Sequence, residues 1–169
     1  YNQIQDNLSA ARIGVITQDA DVQPVMNGRG DFLPATVRQA IEFLNGKSKK
    51  GFFLMAEGAQ IDWGCHNNDV KYTVTEVIDF DKAVSEALKF ADQDGQTLVI
   101  ITADHETGGM TIPNGDYDQN KVRALYAVGG HTGVMVPLYA YGPHSQDFQG
   151  VQENIDVHKK IVELLEKGK

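Results

Sequence analysis

Glu57-Gly58-Ala59-Gln60-Ile61-Asp62-Trp63-Gly64-Cys65-His66 is the stretch that decides the reading of this chain. It belongs with Thr102-Ala103-Asp104-His105-Glu106-Thr107-Gly108-Gly109 and with Gly129-Gly130-His131-Thr132-Gly133. Three segments far apart in sequence each deliver carboxylates or imidazoles from a glycine-rich turn. Such groups suit hard and borderline cations such as zinc and magnesium. Two of the turns follow short apolar runs, Phe52-Phe53-Leu54-Met55 and Leu98-Val99-Ile100-Ile101. An apolar run ending in polar ligands is how an α/β enzyme places chemistry at the carboxyl ends of its strands. The chain therefore reads as part of a metal-dependent hydrolase.

Composition sets the outer bounds. A length of 169 residues suits one domain with a sizeable core. Fifteen basic against 23 acidic residues give a net charge of −8, which argues against nucleic acid or an anionic membrane as partner. An anionic substrate would then need local positive charge, which bound cations supply. The one cysteine, Cys65, leaves no internal disulfide. No run approaches the length of a membrane span. The start Tyr-Asn-Gln, with neither Met nor signal peptide, leads us to expect a processed or truncated start, with any targeting signal outside this chain.

Residues 1–34 are rich in Gly, Asp, Asn and Pro around one apolar run at 13–16, and are expected to be irregular. Pro34 followed by residues 35–44 predicts a helix with Val37, Ala40, Ile41 and Leu44 on one face, ended by Asn45-Gly46. Residues 51–56 predict a buried strand. Val77, Phe80, Val84, Ala87, Leu88 and Ala91 recur at helical steps, and Gly95 closes that helix. Thr97 to Ala103 predicts a second buried strand and residues 113–121 a polar loop. Val134 to Tyr141 is strand-like, with Pro137 marking an edge or an interruption. Glu153 to Lys167 predicts an amphipathic helix with Ile155, His158, Ile161, Val162 and Leu165 inward. The order of elements is an α/β pattern.

Each motif taken alone has an ordinary explanation. Asp62 and His66 share one face of a helix or one end of a turn, but a capping Asp and a surface His fit that spacing equally well. Asp104 and His105 converge only if the strand breaks into a turn, which Glu-Thr-Gly-Gly would supply. Glu57 ends an apolar run, and a carboxylate there is costly unless paired or bound to a metal. The glycines around His131 would let backbone approach a metal closely, yet a flexible loop also fits. The conjunction carries the case, with Asp62, His66 and His131 as a metal site left open for substrate. His144 and His158 read as solvated or packing residues, and Cys65 as a small buried thiol sooner than a ligand. Trp63 either covers the metal site or packs. Arg29-Gly30-Asp31 matches an integrin-type tripeptide, a very weak signal.

At these three motifs the chain strongly resembles the alkaline phosphatase family. The resemblance runs from the helix at 35–45 to the terminal helix. It includes Gly51-Phe52-Phe53-Leu54, Phe80-Asp81-Lys82-Ala83-Val84 and Val136 to Pro143. It implies a three-layer α/β/α fold with a mostly parallel central sheet, of which this chain is the C-terminal portion. It implies Asp62, His66 and His131 as ligands of a first zinc, Asp104 and His105 as ligands of a second, and Glu57 as a ligand of magnesium. In the family a serine attacks phosphorus and the phosphoserine is then hydrolysed, with two zinc ions clamping the displacement.

Two departures matter. No Asp-Ser-Ala-type nucleophile motif stands anywhere in the sequence, so no catalytic residue is assigned here and the isolated chain is expected to be inactive. Trp63 stands where many members have His or Lys, beside the metal site. The short interval between Glu106 and His131 implies a small surface subdomain, as in bacterial members. The resemblance further implies phosphomonoester substrates, a homodimer of the full-length protein, and a periplasmic or secreted setting. Two alternatives are a non-catalytic zinc-binding half-domain and a sulfatase or phosphodiesterase of the same superfamily.

Overall fold

The computed structural model describes residues 14–15 and 22–167. The rest of the expected irregular start, including Ile13 and Ile16 of the apolar run at 13–16, lies outside the described residues. Residues 22–31 hold only a 3-10 turn, Val25–Asn27, before the first helix.

Helix α1 (Phe32–Lys47) carries Pro34 in its first turn, where a missing N–H costs no helical bond. It does not stop at Asn45-Gly46 as expected but runs on to Lys47. The Lys47 ammonium lies 5.2 Å from the centre of the Phe43 ring one turn back, which favours the extra turn. Val37 and Ile41 face inward and form the core with Ala83. Leu33, Phe52, Leu54, Ala87 and Phe90 pack around them, with the Phe52 and Phe90 rings 6.0 Å apart.

Residues 51–58 form neither a helix nor a ladder among the described residues, so the expected buried strand is not paired there and is covered on one face only. Phe52 and Leu54 pack inward while Phe53 and Met55 are 60% and 70% exposed. That is the period-two alternation of a strand with one covered face.

Helix α2 (Gln60–His66) is short and lies across the start of helix α3 (Val70–Asp94). Gly64 permits this approach: a Cβ there would stand 2.8 Å from the Thr73 backbone nitrogen. Asp69 starts α3 by accepting the Tyr72 N–H at 3.0 Å, and Tyr72 Oη in turn donates to the buried Gln60 side chain.

Of the expected inward face of α3, Phe80, Val84, Ala87 and Leu88 are half-buried and Ala91 is buried, while Val77 is exposed. In the first half of the helix the buried residues are Tyr72, Thr73, Glu76 and Asp79, while Val74, Val77 and Ile78 are exposed. Arg29 explains the departure in the first half. Its guanidinium pairs with Glu76 at 2.5 Å and Asp79 at 2.8 Å, and the Val25 N–H donates to Glu76 Oε1 at 2.7 Å. Buried carboxylates are tolerable only when paired in this way. Asp31 binds Lys82 at 3.1 Å, so Arg29-Gly30-Asp31 is a docking strap and not a displayed tripeptide.

Strand β1 (Val99–Ile101) pairs antiparallel with β6 (Tyr139–Tyr141), both shorter than expected and β6 starting after Pro137. Strands β2 (Glu106–Thr107) and β5 (His131–Thr132) form a second antiparallel pair. The segment expected as a polar loop is a hairpin, β3 (Thr111–Asp116) with β4 (Lys121–Leu125), around a turn at 117–120. Almost every residue of these two strands is exposed, so no apolar alternation marks them in the sequence. The ladders among the described residues are thus all antiparallel pairs. Helix α4 (Asn154–Lys167) follows, with Val157, Ile161 and Val162 half-buried. Ile155, His158 and Leu165, expected inward, are exposed. No helix of the described residues is long and apolar enough to cross a membrane.

Replacing Arg29 by Ala would strand two buried carboxylates, and breaking such a network costs about 3–5 kcal/mol. Urea unfolding of Arg29→Ala should show a loss of that order, and a loss near zero would mean that the 22–31 strap does not hold α3.

Candidate metal centre

Asp62 and His66 sit one turn apart on α2, so both point from the same face. Asp62 Oδ2 lies 3.4 Å from His66 Nε2, and His131 Nε2 lies 3.2 Å from His66 Nε2. His131 Nε2 is 4.0 Å from Asp62 Oδ1. Side chains from α2 and from β5 therefore meet at one point, although they are far apart in sequence. All three are partly exposed, which leaves the point open to solvent.

The hydrogen bonds around the rings fix where the lone pairs point. His66 Nδ1 is 2.8 Å from the Gly129 carbonyl, which only accepts. His66 therefore carries its proton on Nδ1, and the Nε2 lone pair of the neutral ring faces the Asp62 carboxylate. His105 repeats the pattern: its Nε2 lies 3.3 Å from Asp104 Oδ2. His105 also stacks on His131, with ring centres 3.6 Å apart, so the two groups of ligands adjoin. Nitrogen and carboxylate acceptors crowded in this way call for a cation between them.

The spacings test which cation fits. Zinc bonds of about 2.0–2.1 Å in a tetrahedron set ligand atoms about 3.3 Å apart. The observed 3.2 and 3.4 Å in one group and 3.3 Å in the other match that edge. Asp62, His105 and His131 also offer one ligand atom each within 4.8 Å of one another, a set that spans the two groups. Asp62, His66 and His131 meet at 3.2, 3.4 and 4.0 Å, the last through the second Asp62 oxygen.

Asp104 and His105 converge because β1 ends at Ile101 and the chain bends at 104–105. The break comes before the pair, not after it at the glycines as the sequence suggested. The Asp104 side chain is 82% exposed, and its Oδ1 accepts the His105 N–H at 3.1 Å. Glu57 is not brought to these groups. It is exposed in the 51–58 segment, and no hydrogen bond or ion pair among the described residues engages it. The cost argument for a buried carboxylate there does not apply, because Glu57 is not buried. Trp63 is 45% exposed and lines a shallow hollow with His66 and Asn67 beside the site.

Several supports went unassigned in the sequence. Thr107 Oγ1 donates to Asp62 Oδ1 at 2.5 Å and lies 3.1 Å from His105 Nδ1. Glu106 accepts the Gly109 N–H at 2.9 Å and the Thr132 hydroxyl, which ties the Gly108-Gly109 turn to the strand carrying His131. A carboxylate three residues before a glycine turn is the one signal that could have found Glu106. Gly108 has φ +87°, and a Cβ there would stand 2.7 Å from the Tyr126 ring. Tyr126 Oη donates to Thr73 Oγ1 at 2.8 Å, and Thr73 donates to Cys65 Sγ at 3.7 Å. This buried relay fastens the loop before His131 to α2 and α3.

Burial pushes the Cys65 thiol pKa up, the Thr73 hydrogen bond opposing and Asp62 and Glu106 adding to the rise. Burial likewise raises the phenols of Tyr72 and Tyr126. In the metal-free chain Cys65 is thus held as a protonated buried thiol. Groups whose pKa rises on folding stabilise the fold below their ordinary values, and that contribution is lost as pH climbs through the raised ones. Unfolding free energy should therefore decline from about pH 8.5, the ordinary thiol range, to beyond about pH 10, that of the phenol. Urea titrations across that range should show the decline, and Tyr126→Phe should flatten it. A pH-independent midpoint would contradict the buried relay.

The family model described as alkaline phosphatase matches residues 13–127. The structure of the alkaline phosphatase from the Antarctic bacterium TAB5 superposes with a TM-score of 0.88 at 38% identity, over 96% of this chain and 49% of that one. A histidine variant of the same enzyme, described as having Mg bound in its M3 site, matches over the same shares at 39% identity and a TM-score of 0.88. Alkaline phosphatase 4 of Bacillus subtilis is 32% identical over 197 residues, covering 77% of this chain and 42% of the relative. The chain thus spans about half the length of the relatives it matches.

Proposed function

We propose a function for this chain from one premise that those matches establish: it belongs to the alkaline phosphatase family. It has the α/β fold of that family. It supplies the C-terminal metal ligands of a phosphomonoesterase that works through a phosphoserine. The observation that carries this reading is the meeting of Asp62, His66 and His131, two of whose separations, 3.2 and 3.4 Å, suit tetrahedral zinc while the third is 4.0 Å. Asp62, His66 and His131 hold the first zinc, and Asp104 and His105 contribute to the second. Glu57, exposed and unengaged, is left free to serve magnesium together with groups from outside this chain. A magnesium ion in a relative of this fold supports that assignment.

Zinc at such a pair of sites stabilises developing charge on attacking and leaving oxygens and lowers the pKa of bound water. The residues of this chain orient that chemistry. The Gly129 carbonyl and the Thr107 hydroxyl set the imidazole rings, and the carboxylates of Asp62 and Asp104 supply negative charge beside them. The open side of these three residues, next to Trp63, leaves room for a phosphate ester. The nucleophile belongs to a part of the enzyme other than this chain, as does the cationic group that clamps phosphate. Full-length protein acts on phosphomonoesters as a homodimer in the periplasm or outside the cell.

Two measurements test this reading. Metal analysis of the purified chain should find zinc, and His131→Ala should lose most of it. Unchanged zinc content in that variant would remove His131 from the site. The isolated chain should show no phosphomonoester turnover approaching about 10 per second, a common enzymatic rate. Turnover of that order, surviving purification, would show that the chain carries its own nucleophile.

A further inference from the structure

We infer that Thr107 is a positioning residue that links the two ligand sets, selecting the Nε2 lone pair of His105 as the ligating atom and fixing the orientation of the Asp62 carboxylate. This rests on the metal reading above for its consequence, but its geometry stands on its own.

Thr107 is 7% exposed in the short strand β2, directly across from His131 in β5. Its hydroxyl has one proton and two partners. Asp62 Oδ1, at 2.5 Å, belongs to a carboxylate, which accepts and cannot donate. The hydroxyl proton is therefore spent on Asp62. Towards His105 Nδ1, at 3.1 Å, the Thr107 oxygen is left to accept. His105 must then carry its proton on Nδ1, which leaves Nε2 with a lone pair facing Asp104 Oδ2 at 3.3 Å.

Two constraints follow from that single hydroxyl. A neutral imidazole without a partner is free to place its proton on Nε2, where it would block coordination. Thr107 removes that freedom. The same hydroxyl holds the Asp62 carboxylate by Oδ1 and so fixes its plane, with Oδ2 3.4 Å from His66 Nε2 and Oδ1 4.0 Å from His131 Nε2. One buried hydroxyl thus sets a ligand of each group, and outer partners of this kind fix tautomer and ring orientation in metal sites. A threonine that only filled a strand would hold neither.

Thr107→Val keeps the shape and removes the hydroxyl, and Thr107→Ser keeps the hydroxyl. In the metal-free chain at alkaline pH, where imidazole is neutral, long-range nitrogen–proton NMR correlation reads the His105 tautomer. We expect Nδ1–H in the parent and in Thr107→Ser, and a shift towards Nε2–H in Thr107→Val. Zinc affinity, measured by competition with a chelator, should fall about 10–100-fold in Thr107→Val and recover in Thr107→Ser. An Nε2–H tautomer in the parent would overturn the inference, even if Thr107→Val failed to fold. So would a Thr107→Val protein that kept both the tautomer and the affinity of the parent. A parent with the Nδ1–H tautomer that took up no zinc would keep the hydroxyl's role in setting the ring and sink the metal reading instead.

Discussion

Lone pairs facing carboxylates at 3.3–3.4 Å are the constraint on which the rest of this molecule depends. Groups gathered in that way are held in place by the residues around them. Each imidazole is held from behind: His66 by the Gly129 carbonyl, His105 by the Thr107 hydroxyl. The arrangement is a set of side chains aimed at a common point, where the proposed function places a cation.

That aim is maintained by buried polar contacts more than by a large apolar core. Gly64 lets α2 lie on the first turn of α3, and Thr73 joins Cys65 on α2 to Tyr126 in the loop before His131. Gly108 accepts the Ala127 N–H at 2.9 Å and donates to the Gly130 carbonyl at 2.9 Å. Glu106 ties the same turn to Thr132. Behind α3, the Arg29 pair with Glu76 and Asp79 does comparable work for the strap at 22–31. Buried polar groups of this kind are costly unless fully partnered, and once partnered they specify one arrangement. Stability and site geometry thus rest on many of the same residues.

Much of this was legible in the sequence, for identifiable reasons. The Asp62–His66 spacing is helical, and α2 carries both on one face. His131 in its glycine-rich segment does meet them. Chemistry that depends on residue type and short spacing can be read directly. What escaped depends on tertiary partners. Val77 lies open near the start of α3 because the inward places beside it are taken by Glu76 and Asp79, which Arg29, distant in sequence, neutralises. Exposed strands β3 and β4 left no alternation to detect. Ile155 and Leu165 carry the apolar period of an inward stripe, yet both lie open. Thr107 looks like any strand threonine until its two partners are seen.

Zinc K-edge X-ray absorption of the zinc-loaded chain tests the central claim most directly, because it counts the atoms bound to the metal by type and distance. The account predicts two imidazole nitrogens and a carboxylate oxygen at about 2.0–2.2 Å, with no sulfur. A zinc–sulfur shell at about 2.3 Å would place Cys65 in the site, and a single imidazole would break the His66–His131 pairing on which the reading stands.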